Sequence, residues 1–368
     1  MKKNFFTLAM AAACVAVGMS SCSNDDENVA MSGTRALERV SVGINTMSDS
    51  RSGIRETQFS GTESIGLYLY ATSAFGADYN LGTTATLRDP LNIEYKRNAE
   101  SNWWVSPVES AIILSSKDGN LFGYYPWSAD NNADNGSAIK INVAEDQGSG
   151  QSDGKADVAE QTDYMWATVT PGTINNTTAS VDIKLSHALS MMTFKFVQDT
   201  YPGEGKISSI VVKNATGKET FLVGDATMHI NGGAIDNALS EAGQIKITPT
   251  NTDLMVYEGK VLTENDHPRM LVYPTAANLV EGEWNFVITM DGKEFTLPVP
   301  HMVNQNGSER PYKLEAGKNY IYTFTLKGHG FGADDETGRD DIASVTIKEW
   351  GEQEVVGGDL VNPDNNNH

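Results

Sequence analysis

The chain consists largely of short runs in which apolar and polar residues alternate, each bounded by Gly, Asn, Asp or Pro. Alternation with a period of two is typical of a β-strand with one buried face. Fourteen such runs predict strands at residues 39–45, 64–71, 91–96, 103–107, 138–144, 179–185, 191–197, 206–214, 244–250, 269–275, 284–290, 293–299, 319–326 and 343–350. Asp291–Gly292, between two of these runs, predicts a tight β-hairpin. The sequence predicts no helix longer than a short helical turn near residues 186–192.

This many strands, joined by Gly- and Asn-rich loops, predicts an all-β chain of two tandem antiparallel β-sandwich domains, each of about seven strands. The polar stretch 145–163 predicts a long loop, and the turn-rich stretch 170–180 predicts a connector. We therefore expect domains at 36–178 and 179–368, with the boundary within about ten residues of 178. A flexible acidic linker is expected at 22–35.

The first 21 residues predict a secretory signal peptide, with Lys2 and Lys3 followed by an apolar run at 5–19. The run is too short to cross a hydrocarbon core of about 30 Å. Cys22 follows small residues, and the sequence Met-Ser-Ser-Cys resembles the lipobox of bacterial lipoproteins. We therefore predict that Cys22 is acylated. The alternative is ordinary cleavage near Ser21, which would leave Cys22 as a free thiol.

Composition excludes several classes of function. The net charge is −21 for the whole chain. It is −23 without the signal peptide, which holds two lysines and no acid. Such a charge repels nucleic acid and anionic lipid, so no nucleic-acid partner is expected. Without Cys14, which lies in the signal peptide, Cys22 is the single thiol, which excludes intrachain disulfides and cysteine metal sites. Because the sequence has no second long apolar stretch, the lipid on Cys22 would be the only membrane attachment.

The residues predict no enzyme, no cofactor and no metal. H-E-x-x-H and G-x-x-x-x-G-K-[ST] do not occur, and the six histidines are scattered. His187 is predicted to be a packed or turn histidine. The run 130–136 begins like an EF-hand loop, but Asn135 and Ile141 stand where Gly and Glu are needed. That run and the acidic run 334–341 are interpreted as solvated loops.

Three tryptophans suggest a second kind of function. Trp103, Trp104 and Trp127 could form an aromatic platform for sugar rings. Neighbouring residues of a strand point to opposite faces, so one of Trp103 and Trp104 is expected in the core. A surface glycan-binding lipoprotein is therefore the alternative function.

Several segments, taken in order, resemble the fimbrillin (minor-fimbrium-like) family of Bacteroidales lipoproteins, whose members build type V pili. They follow the lipobox and are ERVSVGINT, SDSRSGIRET, GTESIGLYLY, FGYYPW, LSHALSMMTFKF, LEAGKNYIYTFTL and SVTIKEWG. The resemblance covers most of the mature chain and implies transthyretin-like sandwiches. It also implies a fimbrial subunit on the outer-membrane surface, and the acidic residues after Cys22 resemble the export signal of such lipoproteins.

The resemblance implies assembly by strand exchange. An Arg-specific surface protease would cut after Arg51 or Arg55 and release a first strand containing Val40, Val42 and Ile44. Arg35 is a third candidate, although cutting there would leave that strand attached. A C-terminal strand donated by another subunit would fill the groove. It would lie within residues 344–350 and 352–360, with Val355, Val356 and Leu360 as the candidate side chains that insert into the groove. The polar, Gly-rich tail would be a poor donor, so stalk, tip and anchor roles stay open. Partners would be other fimbrial subunits and a receptor on a host or bacterial surface.

Overall fold

The computed structural model describes residues 40–41, 43–49, 63–79, 91–97, 104–105, 112–131, 138–148, 161–215, 223–236, 243–249, 255–256, 267–279, 283–299, 302–303, 309–310, 312–326 and 342–349. Its strands are β1 (Val40–Ser41), β2 (Gly43–Asp49), β3 (Ser64–Ala71), β4 (Ile93–Arg97), β5 (Trp104–Val105), β6 (Ile113–Leu114), β7 (Gly119–Tyr125), β8 (Ile139–Val143), β9 (Met165–Thr170), β10 (Thr173–Ile174), β11 (Ser180–His187), β12 (Ser190–Gln198), β13 (Ile207–Asn214), β14 (Gly224–Met228), β15 (Ile235–Asp236), β16 (Gln244–Ile247), β17 (Met255–Val256), β18 (Arg269–Val272), β19 (Trp284–Met290), β20 (Lys293–Pro298), β21 (Met302–Val303), β22 (Glu309–Arg310), β23 (Lys318–Leu326) and β24 (Ile342–Glu349). A 3₁₀ turn at Ala129–Asn131 is the one helical element in these ranges. Among the described residues there is no helix of the length and hydrophobicity needed to cross a membrane.

The N-terminal strands form an eight-stranded sheet in the order β2-β11-β9-β7-β3-β4-β5, with β10 paired to β7. Its pairs are antiparallel except β2 with β11, which run parallel. The sheet curls so that its two end strands, β2 and β5, approach each other. One face is apolar because alternate residues of β9 and β11, such as Met165, Ile183 and Leu185, are buried in a single cluster.

Strand β3 is buried on both faces. Ile65, Leu67 and Leu69 belong to the N-terminal cluster, whereas Tyr68 and Tyr70 belong to a second and larger cluster that includes the C-terminal core. A strand covered on both faces should be apolar throughout, and residues 65–70 are indeed apolar or aromatic apart from Gly66. This strand therefore links the two clusters.

The C-terminal strands form a β-sandwich. One sheet has the order β17-β12-β23-β24 with β18 also on β12, and the other has the order β16-β13-β19-β20. Aromatic rings fill the space between them: Phe286 of β19 packs against Phe194 of β12 at 5.5 Å and Tyr322 of β23 at 4.9 Å between ring centroids. All three side chains are fully buried. Phe286 thus links the two sheets through edge-to-face aromatic contacts.

Strand β8 joins the N-terminal half of the chain to the C-terminal half. It pairs with β14 in a three-stranded sheet whose third member is β15. Just after β8, the buried Gln147 side chain donates to the Leu271 carbonyl at 2.7 Å and accepts from the Leu271 amide at 2.8 Å. The start of the expected loop 145–163 is thus held against β18. The two-domain division near residue 178 stays a prediction.

The structure confirms the all-β fold and the hairpin. Asp291 and Gly292 both have positive φ, 48° and 73°, and Met290 pairs with Lys293. Two residues with positive φ are the signature of the type I′ hairpin turn. The run at 39–45 is divided into β1 and β2, and residues 188–189 form a bend between β11 and β12. The sequence prediction omitted β7 and β9, which lie at the centre of the eight-stranded sheet.

Candidate functional site

Most residues that the sequence singles out lie outside the described part of the chain. These are Cys22, Arg35, Val42, Arg51, Arg55, Trp103, Val355, Val356 and Leu360. Val40, Ile44 and Trp104 lie in described strands, and only their backbone is described. Their predicted roles remain predictions.

Strand β2 ends the path of the eight-stranded sheet. Among the described strands it is hydrogen-bonded only to β11, from Gly43 opposite Ser180 to Asp49 opposite Leu185. Strand β1, immediately before it, pairs with β6 in a small separate sheet. The first strand of the sheet is therefore held along a single edge, and its parallel register is interrupted by one irregularity near Val181.

The edge that β2 covers is apolar on its inner side. Val181, Ile183 and Leu185 of β11 are buried, whereas the intervening side chains from Ser180 to Lys184 are exposed. An uncovered strand of this kind presents unpaired amide and carbonyl groups together with a row of apolar side chains. It is a good template for another strand.

Strand β24 lies at the end of a C-terminal sheet. It pairs antiparallel with β23, from Glu349 opposite Lys318 to Ile342 opposite Phe324. The sequence hypothesis placed both this segment and the residues after it in the donated strand. Strand β24 thus occupies a place in its own sheet, and donation by this segment or by the residues after it remains a prediction.

His187 is a packed histidine, as predicted. It ends β11, is 3% exposed, and its Nδ1 lies 3.0 Å from each carboxylate oxygen of Asp163. Burial, together with the negative charges of Glu63 and Asp163, raises the pKa of Tyr125 to about 12. The buried pair of His187 and Asp163 lies at one end of the paired strands β9 and β11, which suits a structural role better than contact with a ligand.

A family model described as fimbrillin-like matches residues 50–350. The protein belongs to the fimbrillin-like family. A search of curated protein sequences found no significant match.

Two solved structures show the same fold. A candidate cell adhesion protein of Bacteroides uniformis is 16% identical, with a TM-score of 0.53 over 85% of this chain and 98% of that chain. A candidate cell adhesion protein of Bacteroides ovatus is 14% identical, with a TM-score of 0.53 over 86% of this chain and 99% of that chain. At such identities the likeness shows the fold alone.

In this fimbrillin-like chain, Trp127 contributes to internal packing. Its ring is half-buried against the larger cluster, and its indole N–H donates to the Asn92 carbonyl at 3.1 Å. Asn92, at a φ of 53°, also accepts from the Tyr124 hydroxyl at 2.8 Å. Glycan contact by Trp103, Trp104 and Trp127 remains a prediction, and the Trp127 N–H is already used within the protein.

Two motifs bear on enzymatic and metal chemistry. Asp130 is exposed in the 3₁₀ turn, and within the described ranges no group of three or more His, Cys, Asp or Glu residues could hold a metal. Sequence reasoning missed that residues 150–154, Gly-Gln-Ser-Asp-Gly, fit the spacing G-x-S-x-G of serine hydrolases. That motif acts at a sharp turn directly after a strand. Here β8 ends at Val143, and residues 150–154 lie outside the described part.

Proposed function

We propose that this protein is a structural, non-enzymatic subunit of a cell-surface fimbria, exported as a lipoprotein and assembled by protease-triggered strand exchange that supports adhesion. Membership of the fimbrillin-like family supports the fimbrial role. The observation that carries the proposed mechanism is the position of β2, which ends the sheet and pairs only with β11 among the described strands.

Cleavage after Arg51 or Arg55 would break the single covalent link between β2 and the rest of the sheet. Among the described strands, the hydrogen bonds that hold β1 and β2 would then be those of their pairing with β6 and β11. Their departure would leave the β11 edge unpaired, above the buried Val181, Ile183 and Leu185. A strand from another subunit would restore the main-chain hydrogen bonds and cover those side chains.

The donor would come from the C-terminal tail of a neighbouring subunit. Strand β24 is paired with β23, so the donated residues would begin after it, with Val355, Val356 and Leu360 as the side chains that insert into the groove. The tail around them is rich in Gly and Asn. Stalk, tip and anchor subunits would differ in whether this tail is used.

Limited digestion tests the mechanism. We expect a trypsin-like protease to trim the purified protein to Ser52 or Glu56, as read by N-terminal sequencing, and to produce oligomers in size-exclusion chromatography. The double variant Arg51→Ala and Arg55→Ala should stay untrimmed and monomeric. Arg35→Ala is the matched control and should behave like the wild type.

Deletion of residues 351–368 removes the proposed donor segment and leaves the acceptor groove intact, so the two roles can be tested separately. This variant should be trimmed normally but should not polymerise alone, and it should accept a strand from trimmed wild-type protein. Trimmed wild-type chains that remain monomeric and retain residues 40–49 would contradict strand exchange. Polymerisation of the deletion variant alone would contradict the assigned donor.

Lipidation needs a separate test, because Cys22 would depart with the first strand after cleavage. We expect the protein in cells to incorporate labelled palmitate and to fractionate with the outer membrane. Cys22→Ser should abolish the label, whereas Cys14→Ser should retain it. Equal labelling of the two variants would contradict acylation at Cys22.

A further inference from the structure

A cleft of about 300 Å³ lies on the outer face of the eight-stranded sheet. Its floor is formed by β7 and β9, the strands that pair at Tyr124 and Trp166. The opposite wall is the loop of the β14–β15 hairpin, at residues 230–232. Two backbone hydrogen bonds, from His229 to Ala234 at 2.8 Å and from Gly233 to His229 at 2.9 Å, hold that loop. The cleft is thus built between ordered segments.

Two half-buried aromatic rings line the cleft, Phe122 of β7 and Trp166 of β9. Phe75 packs edge-on against Phe122, with 5.1 Å between ring centroids. The hairpin comes so close to Trp166 that a methyl group on Gly233 would overlap the indole ring. Gly233 also has a φ of 70°, which favours glycine. Both rings are therefore held in place from outside the cleft.

Polar groups complete the lining, in a pattern that suits a ligand with several hydroxyls. Asn120, Thr168, Thr173 and Asn231 contribute amides and hydroxyls, and Thr173 donates to Asn120 Oδ1 at 3.1 Å. The Trp166 indole N–H has no hydrogen-bond partner within the described residues and is available as a donor. The cleft can thus offer both donors and acceptors beside two aromatic rings.

None of the described residues that line the cleft is charged, although the protein as a whole carries a net charge of −21. An ionic ligand would lose hydration here without gaining a counter-charge. A purely apolar ligand would leave the amides and hydroxyls without partners. The lining therefore favours a neutral ligand with an apolar face and a polar rim.

We propose that this cleft binds a neutral carbohydrate. The C–H face of one sugar ring packs on Trp166 and Phe122, and its hydroxyls bond to Asn120, Thr168 and Asn231. The site goes beyond the proposed assembly role, because it needs neither cleavage nor a second subunit. It also differs from the platform of Trp103, Trp104 and Trp127 considered from the sequence.

The test is calorimetric titration of the intact, uncleaved protein with neutral and anionic oligosaccharides. The neutral probes are maltohexaose, cellohexaose, mannohexaose and xylohexaose, and the anionic probe is hexagalacturonic acid. We expect at least one neutral probe to bind and the anionic probe to bind more weakly. Because the chain is uncleaved, failure to polymerise does not affect the measurement.

Two exposed threonines on the same face of β9 provide a matched pair of variants. Thr168 lines the cleft, whereas Thr170, two residues along, does not. Thr168→Arg should fill the cleft and weaken binding by about ten-fold or more, while Thr170→Arg should stay within about two-fold of the wild type. Asn231→Ala should also weaken binding, because it removes the hydrogen bond from the hairpin loop to the sugar. Melting temperatures of all three variants should match that of the wild type.

Three outcomes would overturn the proposal. They are no binding by any neutral probe, equal affinity of Thr168→Arg and Thr170→Arg, and tighter binding of the anionic probe than of the neutral ones. Trp166→Ala adds a direct test of the aromatic contact, since loss of binding should be accompanied by loss of ligand-induced tryptophan quenching. If that variant unfolds, the threonine pair still decides the question.

Discussion

The Nδ1 atom of His187 lies 3.0 Å from both carboxylate oxygens of Asp163, and both side chains are almost completely buried. Asp163 precedes β9 and His187 ends β11, so the contact fixes the two strands at the same end of the sheet. A second His–Asp contact, His229 Nε2 to Asp236 Oδ2 at 2.8 Å, lies at the surface. The same chemistry therefore occurs in two environments within one chain.

Removing one partner of the buried pair should cost much more stability than removing one partner of the exposed pair. Asp163→Ala leaves a buried imidazole without its acceptor and should lower the free energy of unfolding by about 3 kcal/mol. His229→Ala should lower it by less than about 1 kcal/mol. Urea denaturation followed by tryptophan fluorescence measures both, and equal losses would show that burial does not set the strength of the pair.

The hairpin turn at Asp291 should make stability depend on pH. Partial desolvation disfavours ionisation of Asp291, but hydrogen bonds from the Gly205 and Lys206 amides and the Tyr201 hydroxyl outweigh it and lower the pKa of the carboxyl. The resulting stability is present above the unfolded pKa of about 3.9 and is lost as pH falls through the lower folded value.

Asp291→Asn keeps a residue suited to positive φ while removing the charge. It should lower the free energy of unfolding by about 1 kcal/mol at pH 7, a small value because the carboxylate is largely solvated. The difference from the wild type should shrink as pH falls below about 3.9. A difference that stays constant between pH 7 and pH 2.5 would contradict this role for the carboxylate.

The aromatic core of the C-terminal sandwich should be sensitive to loss of volume. Phe286 is fully buried and packs against Phe194, Tyr322 and Phe324. Phe286→Ala should lower the free energy of unfolding by about 4 kcal/mol through lost burial and the remaining cavity. The half-buried Phe295 offers a control in the neighbouring strand, where Phe295→Ala should cost less than half as much.

A methyl group at Gly119 should strain the sheet. The added carbon would lie 2.7 Å from Leu69 Cδ1 and 2.7 Å from the Tyr79 ring. Gly119→Ala should therefore destabilise the protein by about 2 kcal/mol. Gly172→Ala is the control, because its nearest neighbour would be the Val169 carbonyl at 3.8 Å. Equal melting temperatures for the two variants would mean that the sheet adjusts without cost.

Gly119 also explains why sequence reasoning missed a central strand. Strand β7 contains Gly119 and Gly123, and glycine usually weakens a predicted strand. In the folded sheet both positions face side chains of β3, namely Leu69 and Leu67, at distances that leave no room for a methyl group. Such close packing depends on neighbours that are distant in sequence, so local pattern alone could not reveal it.

Other features could be read from the sequence because local rules decide them. Asp291–Gly292 predicts its turn through two residues that tolerate positive φ. Strand β9 was omitted from the predicted strands, although its pattern is local: Met165, Ala167 and Val169 alternate with Trp166, Thr168 and Thr170. The cleft was not predictable, since it needs β7, β9 and a hairpin loop more than 60 residues away in the chain.

Strand β3 connects two hydrophobic clusters that would otherwise unfold independently of each other. Its leucines support the N-terminal cluster and its tyrosines support the larger one. If heating unfolds either cluster, β3 is displaced and the other cluster loses part of its packing. The two clusters should therefore melt cooperatively. Cleavage or replacement of β2 should therefore also change the melting temperature of the C-terminal core, because β3 belongs to both clusters.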